Sequence, residues 1–326
     1  MFNNKYIFLT GGTGSFGKKF IQKTLKKYKP KKIIIYSRDE MKQWELRNKI
    51  KSNKLKFIIG DVRDKDQITR AMSGSDIVIH AAATKIVPLA EENPAECIKT
   101  NVIGALNVID ACIENNVKKV VALSTDKASN PINLYGASKL ASDKLFISAN
   151  YELRNKKTKF CVVRYGNVIT SRGSVIPFFK SLNSDVYPIT DTRMTRFMIT
   201  LDDSVQMVWK ALNDSYGGEI FVKKTPSMKI VDIAKALNKS AKFRIIGIRP
   251  GEKLHEQLVG QDDSIFTYDF GSYYKIVSPL SLKSDIKKIC KNGKKVKKDF
   301  VYSSELNDKF LDSEDLIKII RQNIID

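Results

Sequence analysis

The stretch TGGTGSFG, residues 10–17, constrains this chain more than any other. It follows a β-branched and aromatic run, KYIFLT, and opens an amphipathic segment, FGKKFIQKTLKKY. Its glycines fall as Gly11-x-x-Gly14-x-x-Gly17. Glycines let the backbone turn tightly and approach a pyrophosphate, while the start of a helix presents free N–H groups and a positive dipole end. A glycine triplet alone is a weak signal. Between a strand and a helix it predicts a dinucleotide-binding turn, with Gly11, Thr13, Gly14, Ser15, Phe16 and Gly17 against the cofactor.

The following residues repeat the alternation. KKIIIYS, LKFIIGD, SDIVIHAAA, KKVVALST and FCVVRYGNV read as buried parallel strands. Helical stretches separate them, among them NPAECIKTNVIGALNVIDACIENN, for which Asn93 is the expected cap and Pro94 the first-turn residue. Strand–helix alternation of this kind means an α/β fold with a Rossmann-type doubly wound parallel sheet. After about residue 170 the pattern loosens: Pro177, Pro188, Pro226 and Pro250 punctuate shorter elements. LDDSVQMVWKALND and IVDIAKALN read as helices, FRIIGI as a strand, and SEDLIKIIRQNI as a final helix. The expected division is a Rossmann domain over 1–170, to which some later segments return, and a smaller C-terminal lobe over 171–326.

The charge balance of +22 raises the question of nucleic acid. The lysines are spread along the whole chain, and aromatics do not alternate with them as on a base-stacking platform. A solvated basic surface that tolerates anionic nucleotides is the expectation. No apolar run approaches the ~20 residues of a membrane span, and the apolar start is too short for a signal peptide, so a cytoplasmic protein is expected. Cys97, Cys112, Cys161 and Cys290 form no CxxC pair, and two histidines are too few for a His-based site. No metal is expected.

The second strand should end at the adenosine ribose, where NAD sites place an acidic residue. IIIYSRDEMK instead puts Ser37 and Arg38 at that tip, with Lys42 nearby. A guanidinium can hold a 2′-phosphate bidentately, which favours NADP; Asp39 keeps NAD open. Asp61 and Val62 are expected at the adenine, and Ala81, Ala82 and Ala83 along the cofactor channel.

ALSTDKASNPINLYGASKL, residues 122–140, carries Tyr135 and Lys139 at the i, i+4 spacing of one helical face. A phenol of pKa about 10 is a poor base at neutral pH, but a nearby ammonium and a positive nicotinamide favour the phenolate. Tyr135 can then take a hydroxyl proton as hydride leaves for the cofactor, with Thr125 holding the same oxygen.

These phrases, together with AAATKIVPLAEENP, RYGNVITSRGSVIPFF, ITDTRMTRF and RPGEKLHE, make the chain resemble the extended short-chain dehydrogenase/reductases that act on nucleotide sugars. Within them it resembles the bacterial UDP-N-acetylglucosamine 4,6-dehydratases that invert C5 and open pseudaminic acid synthesis. The resemblance covers nearly the whole chain. It implies a UDP-GlcNAc substrate, a homo-oligomer, and a 171–326 lobe that binds the nucleotide sugar. It also gives a role to Asp126 and Lys127, since relatives that keep the C5 configuration carry Asp-Glu at that place. Oxidation at C4 acidifies the C5 hydrogen; Lys127 is then expected to remove it, while Asp126 protonates the departing 6-hydroxyl.

That assignment makes a demand. Deprotonating an ordinary lysine at pH 7 costs roughly 4.6 kcal/mol. Burial, Lys139 and the oxidised nicotinamide are expected to lower the pKa of Lys127, and Asp126 is expected to stay protonated. The resemblance further places Lys85 and Asn167 at the sugar or diphosphate, with Val168 beside the cofactor. Arg196 and Arg249 would grip the diphosphate, and Glu252 would accept from the ribose or order Arg249. The chain departs from its relatives at Ile86, where they often have His, and in a short loop after Phe179. A 4-epimerase and a C5-retaining dehydratase are rival enzymes on this scaffold; a non-catalytic NADP-sensing protein is the rival from another class.

Overall fold

The computed structural model describes residues 1–152, 158–182 and 184–322. Its first half is a regular alternation: β1 (Tyr6–Thr10), α1 (Ser15–Lys27), β2 (Lys32–Ser37), α2 (Glu40–Lys49), β3 (Leu55–Ile59), α3 (Lys65–Met72) and β4 (Ile77–His80). After α4 (Val87–Glu92), α5 (Pro94–Ile98) and α6 (Gly104–Glu114) come β5 (Lys119–Leu123), α7 (Leu134–Glu152) and β6 (Lys159–Arg164). The strands form one parallel sheet in the order β3-β2-β1-β4-β5-β6. The chain reverses direction across the sheet between β1 and β4, the crevice where open α/β sheets bind ligands.

The strands read as continuous apolar runs because both faces are covered. Phe8, Ile34, Val78, Val120 and Val162 pack on one side; Ile7, Leu9, Ile33, Ile35, Ile79, Val121 and Val163 pack on the other. Phe2 meets Phe20, Tyr28 and Trp209 edge-on, tying α1 to a later helix, α9, introduced below.

The segment from Pro94 is not one helix. A π-helical turn over Lys99–Ile103 separates α5 from α6. The widened turn lets Asn101 bond both the N–H and the carbonyl of Thr84, each at 2.9 Å, and donate to Ser138 Oγ. Such insertions often sit at functional sites. Pro94 does occupy the first turn, but Asn93 makes no cap: its amide donates back to the Leu89 carbonyl.

The second half follows β7 (Asn167–Val168) with α8 (Val175–Ser181), β8 (Val186–Ile189), β9 (Thr195–Ile199), α9 (Leu201–Asp214), β10 (Glu219–Lys223), β11 (Ser227–Lys229), α10 (Ile230–Leu237) and β12 (Lys242–Ile245). Then come β13 (Gln257–Val259), β14 (Thr267–Asp269), β15 (Tyr273–Val277), α11 (Lys283–Ile289), β16 (Lys294–Lys295), β17 (Tyr302–Ser303) and α12 (Ser313–Gln322). Asn323 and Ile324 of the expected final helix lie outside the described residues.

This half divides its work. β10 pairs in parallel with β6, and β15, β14 and β16 extend the same sheet antiparallel to ten strands. α9 packs beside α1 on the main sheet, while α8, β8, α10 and α12 gather into a smaller lobe around Ile169, Ile176, Phe179, Tyr187, Met198, Ile233 and Leu316. It carries three short sheets, β11-β9-β7, β12-β8 and β13-β17. The lobe lies where β5 and β6 end, because β13 packs on the turn after β5. Cys97, Cys112, Cys161 and Cys290 are buried and unpaired, and among the described residues no helix is long and apolar enough to cross a membrane.

Candidate functional site

The glycine turn is built as tightly as its sequence suggests. Gly11 has φ +65°, and a Cβ there would sit 2.8 Å from the backbone of Ala81 and Ala82. Gly14 N donates to the Gly11 carbonyl at 3.0 Å and precedes α1, whose first turn holds Ser15 and Phe16. A Cβ on Gly17 would meet the Gly12 carbonyl oxygen at 2.3 Å. Thr10 Oγ1 receives both the Ala81 and Ala82 N–H groups and contacts His80 Nδ1, locking β1 to β4. Burial pushes His80 down to about 3, so it is neutral and structural. This close-packed cradle, with the N-terminal amides of α1 above it, fits the pyrophosphate of a nicotinamide dinucleotide.

At the tip of β2, Thr13 donates to Ser37 Oγ at 3.3 Å. Asp39 spends its carboxylate on α2: it accepts the Lys42 N–H at 2.9 Å and pairs with the Lys42 ammonium, which lowers its pKa. Lys42 is thereby engaged as well. Arg38 stays largely exposed, 3.6 Å from Asp61. Asp61 is clasped by Arg63, and Val62 is buried beneath Gly104. Lys85 donates to the Arg172 carbonyl, whose own N–H reaches Ser15 Oγ, so the loop after β7 spans from the Lys85 segment to the start of α1.

After β5, Thr125 caps a 3-10 turn, Asp126–Ala128, with its Oγ1 accepting the Lys127 N–H. The close approach is allowed by Gly136, where a Cβ would lie 2.3 Å from the Lys127 carbonyl oxygen. Tyr135 and Lys139 are both buried on α7. Thr125 donates to Asp126 Oδ1 at 3.0 Å, and its hydroxyl works to lower the Tyr135 phenol. Burial raises Tyr135 to about 12; the opposing cation is Lys127. The expectation that Lys139 supplies that charge needs correction, because Lys139 faces Asp143 and is itself lowered by burial. Asp143 continues inward to Ser124 at 2.7 Å and to buried Arg164 at 3.3 Å.

Lys127 Nζ lies 3.2 Å from Asp126 Oδ1 and 2.9 Å from Glu256 Oε1. Burial raises the Asp126 carboxyl, in the direction expected of an acid. Lys127 goes the other way. Burial pushes it down, but the Asp126 and Glu256 carboxylates outweigh burial and hold it above the ordinary lysine value. The expected lowering is therefore overturned: the carboxyl groups of Asp126 and Glu256 outweigh burial and the Arg196 guanidinium.

The arginines differ from expectation too. Arg196 is buried in β9 and donates to the carbonyls of Thr195, Lys253 and Leu254. Its guanidinium also lies 3.7 Å from Glu252 and 3.9 Å from Glu256, so it is a bracket between segments instead of a free diphosphate fork. Arg249 is exposed and held bidentately by Glu252 at 2.9 and 3.0 Å. Asn167 and Val168 form β7, half-buried above the site. Glu256 escaped sequence reasoning although it ends the quoted RPGEKLHE, because nothing local distinguishes it from a surface glutamate.

The chain is similar to several known proteins. The profile of a family described as polysaccharide biosynthesis protein matches residues 7–278. A UDP-N-acetylglucosamine 4,6-dehydratase (inverting) from Campylobacter jejuni is 56% identical over 98% of both chains. A UDP-glucose 4-epimerase from Rickettsia bellii is 47% identical, covering 85% of this chain and 84% of the relative. The X-ray structure of Pen from Bacillus thuringiensis superposes with TM-score 0.90 at 35% identity, covering 99% of this chain and 98% of that one. Taken with the Rossmann sheet, these matches show that the chain belongs to the polysaccharide biosynthesis protein family, built on the extended short-chain dehydrogenase/reductase scaffold.

Proposed function

We propose that the protein is a UDP-N-acetylglucosamine 4,6-dehydratase that inverts C5, a hydro-lyase giving a UDP-4-keto-6-deoxy-L-hexosamine. The observation that carries the reading is one buried cluster holding both chemistries: Tyr135 with Thr125 for alcohol oxidation, and Asp126 with Lys127 for elimination. The relative of that name at 56% identity supports it.

The glycine turn, Ser37 and Arg38 would hold the cofactor, which when bound accepts hydride from C4 and returns it at C6. The chain's own groups move the protons. Tyr135 takes the proton of the 4-hydroxyl, and Thr125 positions that oxygen. With C4 a ketone, Lys127 removes the C5 hydrogen, and Asp126, whose carboxyl burial raises, donates to the 6-hydroxyl as water departs. Lys85, Asn167 and Arg249 are assigned to the nucleotide sugar. Lys139 is assigned to the cofactor side of Tyr135. Asp61, Val62, Ala81 and Val168 complete the cofactor's surroundings.

NADP is the proposed cofactor. Asp39 is occupied as the α2 cap, while Arg38 is exposed and available to a 2′-phosphate. Arg38→Ala should weaken NADP binding by roughly 10–100-fold, the worth of a charge-assisted bond, with little change for NAD. Equal losses for both dinucleotides, measured by fluorescence titration, would refute the choice. Leu89, Ile98, Ile103 and Leu106 leave apolar surface exposed around α4 to α6, which supports a homo-oligomer.

The Rickettsia relative favours one second reading, a 4-epimerase, which needs Tyr135 and Lys139 but no Asp-Lys pair. Incubation with UDP-GlcNAc in deuterated water separates the two. A dehydratase of the proposed kind loses one water and places deuterium at C5, with ring couplings of the inverted sugar. Unchanged mass with a new C4 configuration identifies an epimerase, and water loss with C5 retained removes the role given to Lys127.

A further inference from the structure

Lys127 is the proposed C5 base, yet it sits between the Asp126 and Glu256 carboxyl groups as an ammonium, which cannot accept a proton. The geometry contains a resolution. Glu256 precedes β13, and its backbone is fixed on both sides by Ser304, whose N–H reaches the Glu256 carbonyl at 2.8 Å and whose Oγ accepts the Glu256 N–H at 2.9 Å. Its side chain is 2% exposed and presents Oε1 to Lys127 Nζ at 2.9 Å. The other oxygen, Oε2, is buried with no hydrogen-bond partner, as is Asp126 Oδ2. Around this carboxylate stand Lys127, Arg196 Nε at 3.9 Å and Lys253 Nζ at 4.0 Å, with Asp126, Glu252 and Tyr135 beyond them. Asp126, Lys127 and Glu256 thus form a line in which Lys127 Nζ touches one oxygen of each carboxyl group.

We propose that Glu256 is the proton acceptor for Lys127, so that the C5 base is the Lys127–Glu256 pair acting through one shared proton. This rests on the dehydratase reading above. In the resting line Asp126 is a neutral acid, Lys127 an ammonium and Glu256 a carboxylate. When substrate displaces water from the cluster, the Nζ–H bond breaks towards Glu256 Oε1 and an O–H bond forms there. Lys127 keeps the electron pair as a neutral amine. The amine takes the C5 proton, and the C5–H electron pair passes into the conjugated ketone. The C6–O bond then breaks with Asp126's proton going to the leaving oxygen. The line now holds Asp126 as carboxylate, Lys127 as ammonium and Glu256 as acid; one proton passing from Glu256 through Lys127 to Asp126 restores the start. The C5 proton lost by the sugar thereby replaces the one given to water. The transfer moves no net charge to solvent, but it works against the Lys127, Arg196 and Lys253 cations, which hold the Glu256 carboxyl below its ordinary value.

Glu256 touches neither sugar nor cofactor in this scheme and acts through Lys127, as a positioning and proton-holding residue. The test is Glu256→Gln, which keeps size and one acceptor oxygen but cannot be protonated, with Glu256→Asp as a second variant and Tm and NADP affinity measured for all three proteins. Wild type should dehydrate UDP-GlcNAc at a rate nearly independent of pH between about 6.5 and 8.5. Glu256→Gln should bind NADP normally and still form the 4-keto sugar in a single turnover, seen as a burst of reduced-nicotinamide absorbance. Its dehydration and C5 deuterium uptake should fall about 100-fold at pH 7. Without the neighbouring carboxylate the Lys127 pKa drops, and the variant's rate should climb close to tenfold per pH unit as the free amine becomes populated. Glu256→Asp should recover part of the rate and the flat profile. Wild-type rate and profile in Glu256→Gln would overturn the proposal. So would a loss of rate that is the same at every pH, or one accompanied by lost NADP binding. If wild type itself performs no dehydration, the underlying reading falls, a result distinct from any of these.

Discussion

Lys127→Ala and Asp126→Asn should each retain cofactor and lose dehydration by roughly 10²- to 10⁴-fold, the range of a positioned acid or base. The two variants are expected to fail differently. Lys127→Ala removes the ammonium that stands between Asp126 and Glu256 and leaves no amine to take the C5 hydrogen. It should therefore oxidise C4 but show no deuterium at C5. Asp126→Asn keeps the lysine and its glutamate but supplies no acid to the 6-hydroxyl. It should exchange C5 with solvent while releasing little water, so mass spectrometry of the recovered substrate separates the two steps. Wild-type-like turnover in either variant would remove the assignment.

Gly17→Ala is the second large effect, and it follows from backbone alone. The added methyl would meet Gly12 O at 2.3 Å and Gly12 C and Cα at 2.5 Å, and none of those atoms can rotate away. The α1 start must move off the turn that presents amides to the pyrophosphate. NADP affinity should fall by about 100-fold or more, with an overpacking cost of about 1–3 kcal/mol seen as a Tm lower by several degrees. Gly14→Ala provides the contrast, since its Cβ meets only the Gly11 carbonyl at 3.3 Å. That variant should keep nearly the parent Tm. Equal Tm values for parent and Gly17→Ala would show that the turn relaxes freely.

Much of this architecture was legible in the sequence for identifiable reasons. Strands covered on both faces read as unbroken apolar runs, so β1, β2, β4, β5 and β6 announced themselves, and β3 at the sheet edge did so with LKFII although none of its residues is buried. The helix Leu201–Asp214 declared both its apolar stripe and its start, where Thr200 accepts the Asp203 N–H. The π-turn at Lys99–Ile103 was hidden because its sequence keeps helical periodicity; only the demand of Thr84 for Asn101 reveals it. Arg196 read as a phosphate fork because an arginine's sequence context does not show which carbonyls will surround it. The charge state of Lys127 was misjudged for a related reason. Its deciding partner, Glu256, lies far along the chain and is brought to it by the packing of β13 on the turn after β5.

The placement of β10 between β6 and β15 also governs how the chain must be made and cut. While residues beyond β6 are still being synthesised, that strand has β5 on one flank and a bare row of N–H and C=O groups on the other. An uncovered parallel edge of this kind invites pairing with a second nascent chain. Arg164, at the end of β6, is meanwhile without Asp263 and the Leu258 carbonyl that later bury it. A fragment truncated near residue 170 would keep every glycine of the nucleotide turn and still be a poor free-standing domain. A fragment that covers the β6 edge has to reach through β10.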